Sequence, residues 1–334
     1  ILLGTEYITN YSSGISASRA RFGNTDSGFQ YIDFGGFPQD LWNGGSASQW
    51  ALFSLFGSVN YNFDNRFFAT ASLRQDASSQ FAANNQYALF PSFSAGWRIS
   101  QEKFMEDVNW ISDFKLRAST GKLGNQSGLN NYNSLSIYDP QGTLIRYGNP
   151  DLKWETTNQN NIGIDLSLFN NKFSISADYF KKTTSDLLLP LGLPRVVGDV
   201  KPTIVNSGTV SNTGFELALG YRNNEHAFKY SINANAATVT NNVEKLNANL
   251  PNIYGQVSKT EPGHPLNSFY GFKMTGIYQN QQELDAYLNG APHPEVKPGD
   301  IKFQDVDGNG IINDNDRMYP VSYTHLTLPT NREV

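Results

Sequence analysis

The sequence contains no cysteine, so a disulfide framework, a thiol nucleophile and a thiolate metal site are all excluded. Charge is scarce too, at 16% of residues against roughly 25% in ordinary soluble domains. No run of about 18 apolar residues occurs, so no helix of this chain is built to cross a bilayer. That leaves a barrel open, because strands cross with alternating residues and low average hydropathy. The net charge is −5 and there is no basic stripe, which sets nucleic acid aside as a partner. Only four histidines are present, His226, His264, His293 and His325, and no two have metal-ligand spacing. Acidic residues are too dispersed to nominate the carboxylate pair of a glycosidase, so an enzyme is not expected. The stretch Gly121 to Gly128 lacks the Gly-Lys-Ser/Thr ending of a phosphate-binding loop. No signal peptide opens the chain. Ile1-Leu2-Leu3-Gly4 reads as the middle of a strand, and the start is expected to be a cut.

What is abundant is aromatic, small or polar: 22 Phe, 17 Tyr and 29 Gly in 334 residues. This mix suits strands and polar loops better than helices. Period-two alternation recurs along most of the chain. Val59, Tyr61 and Phe63 alternate with polar residues, as do Phe67, Ala69, Ala71 and Leu73. The same holds for Phe93 to Ile99, Phe114 to Ala118, Ile162 to Leu168, Phe173 to Tyr179, Phe215 to Leu219 and Tyr230 to Ala236. With Leu3 to Thr9 these make about nine strands. Charges fall only on the polar register. A lipid-facing strand requires this, since Lys or Arg at mid-bilayer costs about 2–4 kcal/mol.

The connections alternate in length. Asp64-Asn65 and Asn170-Asn171 read as tight turns, Arg222 to Glu225 as a short one and Ser100 to Ser112 as an intermediate link. Long polar loops are expected at 10–48, 77–86, 122–153, 186–209 and from 240 to 319. Phe63, Phe67, Phe173, Tyr221 and Phe228 cluster at the short-turn ends, as an aromatic girdle would; ordinary hairpin packing is the alternative. The expected fold is all-β: part of an antiparallel up-and-down transmembrane barrel with short periplasmic turns and long extracellular loops. A soluble carbohydrate-binding β-sandwich is the architectural rival, although sandwiches do not alternate short and long connections in this way.

Two groups of residues could bind something. Asp305, Asp307, Asn309, Ile311 (through its carbonyl), Asn313 and Asp316 occupy positions 1, 3, 5, 7, 9 and 12 of a calcium-loop pattern, with Gly310 at position 6. Ca²⁺ is the expected ion, although Asp stands where Glu is usual at position 12 and no helical pattern flanks the loop. An Asx-rich turn without an ion is the alternative. The loop aromatics Tyr132, Tyr138, Tyr147 and Trp154 could stack on a sugar or peptide; packing of the loop against itself is the favoured reading for them.

Several stretches resemble one family. They are Phe56-Gly-Ser-Val-Asn-Tyr-Asn-Phe63 with Ala71-Ser-Leu-Arg-Gln-Asp-Ala-Ser-Ser79, Phe90-Pro-Ser-Phe-Ser-Ala-Gly-Trp-Arg-Ile-Ser100, and Leu116 to Asn125. More specific are Leu152-Lys-Trp-Glu-Thr-Thr157 and Asp178-Tyr-Phe-Lys-Lys-Thr-Thr-Ser-Asp-Leu-Leu188. Asn212-Thr-Gly-Phe-Glu-Leu217 and Gly299 to Gly310 complete the set. Together they resemble the SusC/RagA group of TonB-dependent outer-membrane transporters of Bacteroidetes, over roughly residues 1 to 320. The resemblance implies a barrel of about 22 strands with a plug in its lumen. It further implies import of glycans or peptides driven by TonB, and a SusD-like surface lipoprotein as partner. A passive porin is the functional rival. The family's plug is not seen in this chain. The end, Val321 to Val334, leaves the family pattern and is expected to be a non-native tail.

Overall fold

The computed structural model describes residues 1–22, 28, 30–34, 38–139, 141–191, 200–224, 228–247, 251–287 and 296–319. The turn residue Glu225, three histidines (His226, His293 and His325) and the stretch 321–334 lie outside the described residues. The chain divides into two compact units, Ile1–Val239 and Thr240–Val334.

The first unit is dominated by one antiparallel sheet of nine strands in sequential order. These are β1 (Leu2–Ser18), β2 (Trp42–Phe63), β3 (Phe67–Ser78), β4 (Tyr87–Arg98), β5 (Ile111–Asn125), β6 (Glu155–Leu168), β7 (Phe173–Ser185), β8 (Thr209–Asn223) and β9 (Tyr230–Lys245), the last running on into the second unit. The order is up-and-down, each strand pairing with its sequence neighbours. Short and long connections alternate except around β4, where the β3–β4 connection (79–86), expected to be long, is shorter than the β4–β5 link (99–110).

Register follows from the side-chain period. Phe63 pairs with Phe67 and Val59 with Ala71 across β2–β3. Ala71 pairs with Phe93 across β3–β4, and Ile162 pairs with Ala118 on β5 and with Tyr179 on β7. Apolar residues therefore share one face, and a slip by one residue would turn every one of them over.

Turn chemistry explains the tight ends. Asp64 and Asn65 have φ of 58° and 52°, the left-handed pair of a hairpin turn that short polar side chains tolerate. The Asn65 amide N–H donates to Asn62 Oδ1 at 3.1 Å, and the Arg66 N–H donates to the Phe63 carbonyl at 3.0 Å. At the next tight turn the left-handed run begins one residue before the expected pair: Phe169, Asn170 and Asn171 have φ of 53°, 56° and 62°. The turn is pinned from the end of the β4–β5 link, where the Trp110 carbonyl accepts from Phe169 N–H at 2.8 Å, and from the start of β5, where Ser112 Oγ accepts from Asn171 N–H at 3.0 Å.

Several boundaries differ from the sequence expectation. Much of the 10–48 loop is strand: Asn10 to Ser18 pairs with Trp42 to Trp50. β3 meets β2 only from Leu52 onward, so this ribbon continues past the wall. Its Ser/Gly/Asn composition looks loop-like, and only the pairing partner makes it a strand. Ile99 lies in a short 3-10 turn, Ile99–Gln101, after β4 has ended. The 122–153 and 186–209 loops carry their own two-stranded ribbons, Ile137–Tyr138 with Leu144–Arg146 and Leu188–Leu191 with Thr203–Asn206.

The second unit, expected as a long loop, has among its described residues short antiparallel ribbons and one α-helix, α1 (Gln281–Tyr287). Asn280 caps α1 by accepting from the Glu283 N–H at 2.8 Å, while the Glu283 carboxylate accepts from the Gln279 N–H at 2.9 Å. Leu284 and Tyr278 form its small apolar centre.

Candidate functional site

The wall has two unlike faces. Val59, Tyr61, Leu73, Phe93, Ile162, Tyr179, Phe215 and Leu219 stand exposed on one. Near the short turns this face carries a ring-to-ring chain: Trp110–Phe169 at 6.5 Å, Phe169–Phe173 at 6.1 Å, Phe173–Tyr221 at 4.7 Å, Tyr221–Tyr230 at 5.8 Å and Tyr230–Phe228 at 5.7 Å. Phe67 and Trp97 add another pair at 6.3 Å. Exposed apolar residues bordered by such a belt match the lipid face and interface girdle of an outer-membrane wall.

The other face holds charges, joined across strands. Arg74 donates to Glu6 at 2.9 Å, to Ser54 Oγ at 2.8 Å and to Asp76 at 2.8 Å. Arg98 grips Asp113 with two bonds of 2.9 and 3.1 Å. Arg117 on β5 reaches two strands: Asp165 on β6 at 2.8 and 3.1 Å, and Asp178 on β7 at 2.8 and 2.7 Å. Ser176 Oγ accepts from Arg117 at 3.1 Å and donates to Asp165 at 2.8 Å. These forks are spaced by pairing register and not by sequence, and sequence reasoning did not nominate them. The signal available was that all three arginines sit on the polar register.

At the loop end the connections fold over the polar face around a small core. Phe81, Phe90, Leu152 and Trp154 are buried together, with Leu52, Ala88, Leu129, Leu188 and Ile204 packed on them. Trp154 is 6% exposed, its ring 4.9 Å from Phe81 and 5.7 Å from Phe90, and its Nε1–H donates to the Gln86 carbonyl at 3.1 Å. Trp154 is thus a packing residue with no free ring face for a ligand, which corrects its nomination as a stacking residue. Tyr132, Tyr138 and Tyr147 are exposed. Tyr138 stands on a short ribbon. The Tyr147 carbonyl accepts from the Thr203 hydroxyl at 3.0 Å. The three tyrosines and Trp154 do not form one platform; they sit in separate local settings. Arg146 beside them is pushed down from the usual guanidinium range by burial.

In the second unit, Asp305, Asp307 and Asp316 bring carboxylate oxygens within 4.8 Å of one another. Backbone amides wrap them. Gly308 and Gly310 N–H donate to the two oxygens of Asp305, each at 2.7 Å, and both glycines are left-handed, with φ of 73° and 79°. Asp316, fully buried, accepts from Val306 and Asn313 N–H at 2.8 and 2.7 Å. These two bonds, Asn313 first, hold its carboxyl below the usual range. Asn309 Oδ1 accepts from the Ile311 N–H at 2.7 Å, and Asn313 Nδ2 donates to the Ile311 carbonyl at 3.4 Å. The loop therefore brings three of the six nominated residues together as carboxylates, hard oxygen donors of the kind a divalent cation such as Ca²⁺ takes, while Asn313 Oδ1, like Asn309 Oδ1, accepts from a backbone N–H, that of Asn315 at 2.9 Å.

A second cluster in this unit was not anticipated. Lys259 Nζ meets Glu261 at 2.6 Å and lies over the rings of Tyr270, Tyr254 and Tyr319 at 4.9, 5.5 and 6.0 Å. The Tyr319 hydroxyl donates to Glu261 at 2.6 Å, and His264 stacks on Tyr319 at 4.0 Å. Burial, then the bond to Glu261, pushes the Tyr319 hydroxyl up. Lys259, followed by Tyr319, holds Glu261 below the usual carboxylate range.

An antiparallel up-and-down wall with an exposed apolar face, its lysines (Lys122 and Lys181) confined to the loop end, and with an aromatic belt near the short turns is that of an outer-membrane β-barrel. The comparisons specify which kind. The family described as TonB dependent receptor-like, beta-barrel, matches residues 3–309, and the chain belongs to that family. It is 36% identical over 289 residues to the TonB-dependent receptor P3 of Formosa agariphila, covering 80% of this chain and 28% of the relative. It is 29% identical to the TonB-dependent receptor SusC of Bacteroides thetaiotaomicron, over 81% of this chain and 28% of that one. Among solved structures, the RagAB peptide importer in its closed-closed state aligns with TM-score 0.72 and 30% identity, over 83% of this chain and 31% of that chain. These relatives place it in the SusC/RagA group. The chain thus spans under a third of the length of each of these relatives.

Proposed function

We propose that this chain forms part of the wall and mouth of an importer that carries glycan or peptide nutrients across the outer membrane, energised through TonB and working with a SusD-like surface lipoprotein. The observation that carries this reading is the two-faced wall: a lipid-compatible register backed by arginine forks on the polar register. Family membership, with SusC and the RagAB peptide importer among the relatives, supports the transport step. The test is an in-frame deletion of β6 to β8 from the chromosomal gene, with growth measured on glycans and on peptides. Loss of growth on one nutrient class, reproduced by removing TonB, is the expected result. Growth that depends on β6 to β8 but is indifferent to TonB would replace the reading with a passive porin.

The acidic loop belongs to the same proposal. Ca²⁺ would be held by Asp305, Asp307, Asn309, the Ile311 carbonyl, Asn313 and Asp316, and would make segment 240–319 rigid at the face that meets the lipoprotein. Chelation should speed proteolysis within 300–319, and added Ca²⁺ should reverse it. An unchanged cleavage rate would remove the ion from the account.

A further inference from the structure

A cleft at the loop end of the wall was not among the sites expected from sequence. It lies between Gln49-Trp50-Ala51 on β2, Ser79-Gln80 just past β3, and Asn131-Tyr132 of the β5–β6 connection, with a volume of about 290 Å³. Trp50 shares the polar register with Ser54 and Glu6 through the β1–β2 pairing. The cleft therefore belongs to the face over which the loops fold.

The chemistry of the lining is narrow. It offers one indole, one phenol, three carboxamides and one hydroxyl, and none of the lining side chains carries a charge. The parts are also held in place. Ser79 Oγ accepts from the Ala51 N–H at 2.8 Å, and its own N–H donates to the Ala51 carbonyl at 3.0 Å. Gln80, 8% exposed, donates from Nε2 to Asn131 Oδ1 at 3.0 Å. That bond uses one donor and one acceptor, whereas two carboxamides together carry four N–H groups and two oxygens. Tyr132 sits in the left-handed region at φ 69°, a costly conformation for a bulky residue that persists only where its surroundings enforce it. Its carbonyl accepts from Arg146 Nη2 at 2.8 Å and from the Leu135 N–H at 3.0 Å, and its hydroxyl accepts from the Gln49 N–H at 3.4 Å. Arg146 is turned to these carbonyls and does not line the cleft.

We propose that this cleft binds one ring of a neutral glycan, so that the imported nutrient is a neutral oligosaccharide in place of a peptide or an acidic sugar chain. Carboxamides pair with adjacent hydroxyls through one donor and one acceptor, and aromatic side chains pack on the C–H face of a pyranose. Peptide ends, uronates, sulfates and phosphates call for charge-assisted partners, which this lining lacks. A pre-set ring and pre-paired amides lower the ordering cost of binding. The inference rests on the import reading above and specifies its substrate class.

The test uses cells carrying the unaltered gene, the in-frame deletion, or the variants Trp50→Ala, Trp50→Phe and Gln80→Ala, with surface protein quantified in each. Each strain is given three hydrolysates separately: a neutral polysaccharide, a uronic-acid polysaccharide and a protein, and depletion of the medium is followed by mass spectrometry. Deletion-dependent uptake of the neutral oligosaccharides is expected. Per surface molecule it should fall about tenfold or more in Trp50→Ala and Gln80→Ala, on the scale of losing one positioned polar or stacking contact, and recover in Trp50→Phe. Deletion-dependent uptake confined to peptides or uronates would overturn the glycan assignment and leave the import reading standing. So would neutral-glycan uptake that is indifferent to Trp50→Ala and Gln80→Ala. If no hydrolysate shows deletion-dependent uptake, the import reading itself fails, and this proposal with it.

Discussion

Gly163 on β6 offers the sharpest test of how the polar face is built. It pairs with Arg117 on one side and Asp178 on the other. A Cβ placed there would run into Asp178 Oδ1 and lie 2.9 Å from Arg117 Cζ. Gly163→Ala must therefore push the guanidinium off Asp178 or shift the carboxylate. The Arg117–Asp178 fork has two bonds of 2.8 and 2.7 Å, and the side chains are 32% and 16% exposed. A fully shielded charge-assisted bond is worth roughly 1.5–3 kcal/mol. Solvent at this partly open face reduces that, so losing one good bond, with some steric strain, should cost about 1–3 kcal/mol. The assay is denaturant unfolding of the barrel in lipid for Gly163→Ala, Asp178→Ala and the double variant. If the alanine methyl acts through Asp178, removing that carboxylate first should absorb most of the Gly163→Ala cost, with a coupling of about 1 kcal/mol or more. Single-variant costs that simply add would refute the reasoning and assign the glycine to backbone conformation alone.

Three further outcomes follow from the same geometry. Ile162→Lys on the apolar register, 65% exposed, should destabilise the assembled barrel by about 2–4 kcal/mol, whereas Ser119→Lys, one residue along β5 from its partner Ala118, should cost far less; equal losses in barrel yield would remove the distinction between faces. Trp154→Ala should open a cavity costing about 3–5 kcal/mol, read as faster proteolysis in the 126–154 and 188–206 connections while unfolding of the wall is little changed. Asp316 has its carboxyl lowered in the folded loop, so its contribution is complete at neutral pH and is lost as pH falls past the ordinary carboxylate value of about 3.9 and through the lowered one; in Ca²⁺-free solution protease resistance of 300–319 should hold to about pH 5, fall below pH 4, and lose this dependence in Asp316→Asn.

Much of the wall was legible because sheet faces impose a local rule. The alternation at Ile162, Ile164 and Leu166, or Phe173, Ile175 and Ala177, announces a two-faced strand without knowledge of its neighbours. Asp64-Asn65 announces its turn because those side chains tolerate left-handed backbone. What failed to show depends on partners far along the chain. Ser12-Ser13-Gly14 looks like loop until it is paired with Ser48-Ala47-Ser46, and Asn43-Gly44-Gly45 until it is paired with Ala17-Ser16-Ile15. Arg117, Asp165 and Asp178 become one fork only once the register of three strands is known. The oxygen spacing from Asp305 to Asp316 was readable because a loop of that pattern is self-contained, and its carboxylates do converge. Tyr132 was named, but Trp50, Gln80 and Asn131 were not, since no local spacing joins them. The helix Gln281–Tyr287 was not expected, because seven residues leave little periodicity to announce it.

The polar face also uses a recurring three-layer device. Phe56 lies over Gly4 with Arg74 5.5 Å from its ring; Phe68 lies by Gly96 with Lys115 at 4.7 Å; Phe180 lies over Gly214 with Lys182 at 5.4 Å. In each case the glycine is the direct cross-strand partner of the phenylalanine; at Gly4 and Gly214 the ring lies where a Cβ would stand, and at Gly96 a Cβ would instead meet Lys115 Cε at 2.9 Å. A flat ring offers its electron-rich face to a cation. Each such pair holds a long charged side chain down on the wall, as the forks at Arg74, Arg98 and Arg117 do. Charges pinned this way are poor recognition groups, because their donors or their field are already engaged. The consequence is a division of labour. The wall below the Phe81–Trp154 core is a surface of pinned charge and small polar residues, suited to bounding a lumen. The loops above that core present tyrosines and carboxamides with capacity to spare, suited to choosing what enters. Selectivity should therefore respond to changes at Trp50, Gln80 and Tyr132, whereas changes at Arg117 or Gly214 should register in barrel stability with little change in which nutrient is taken.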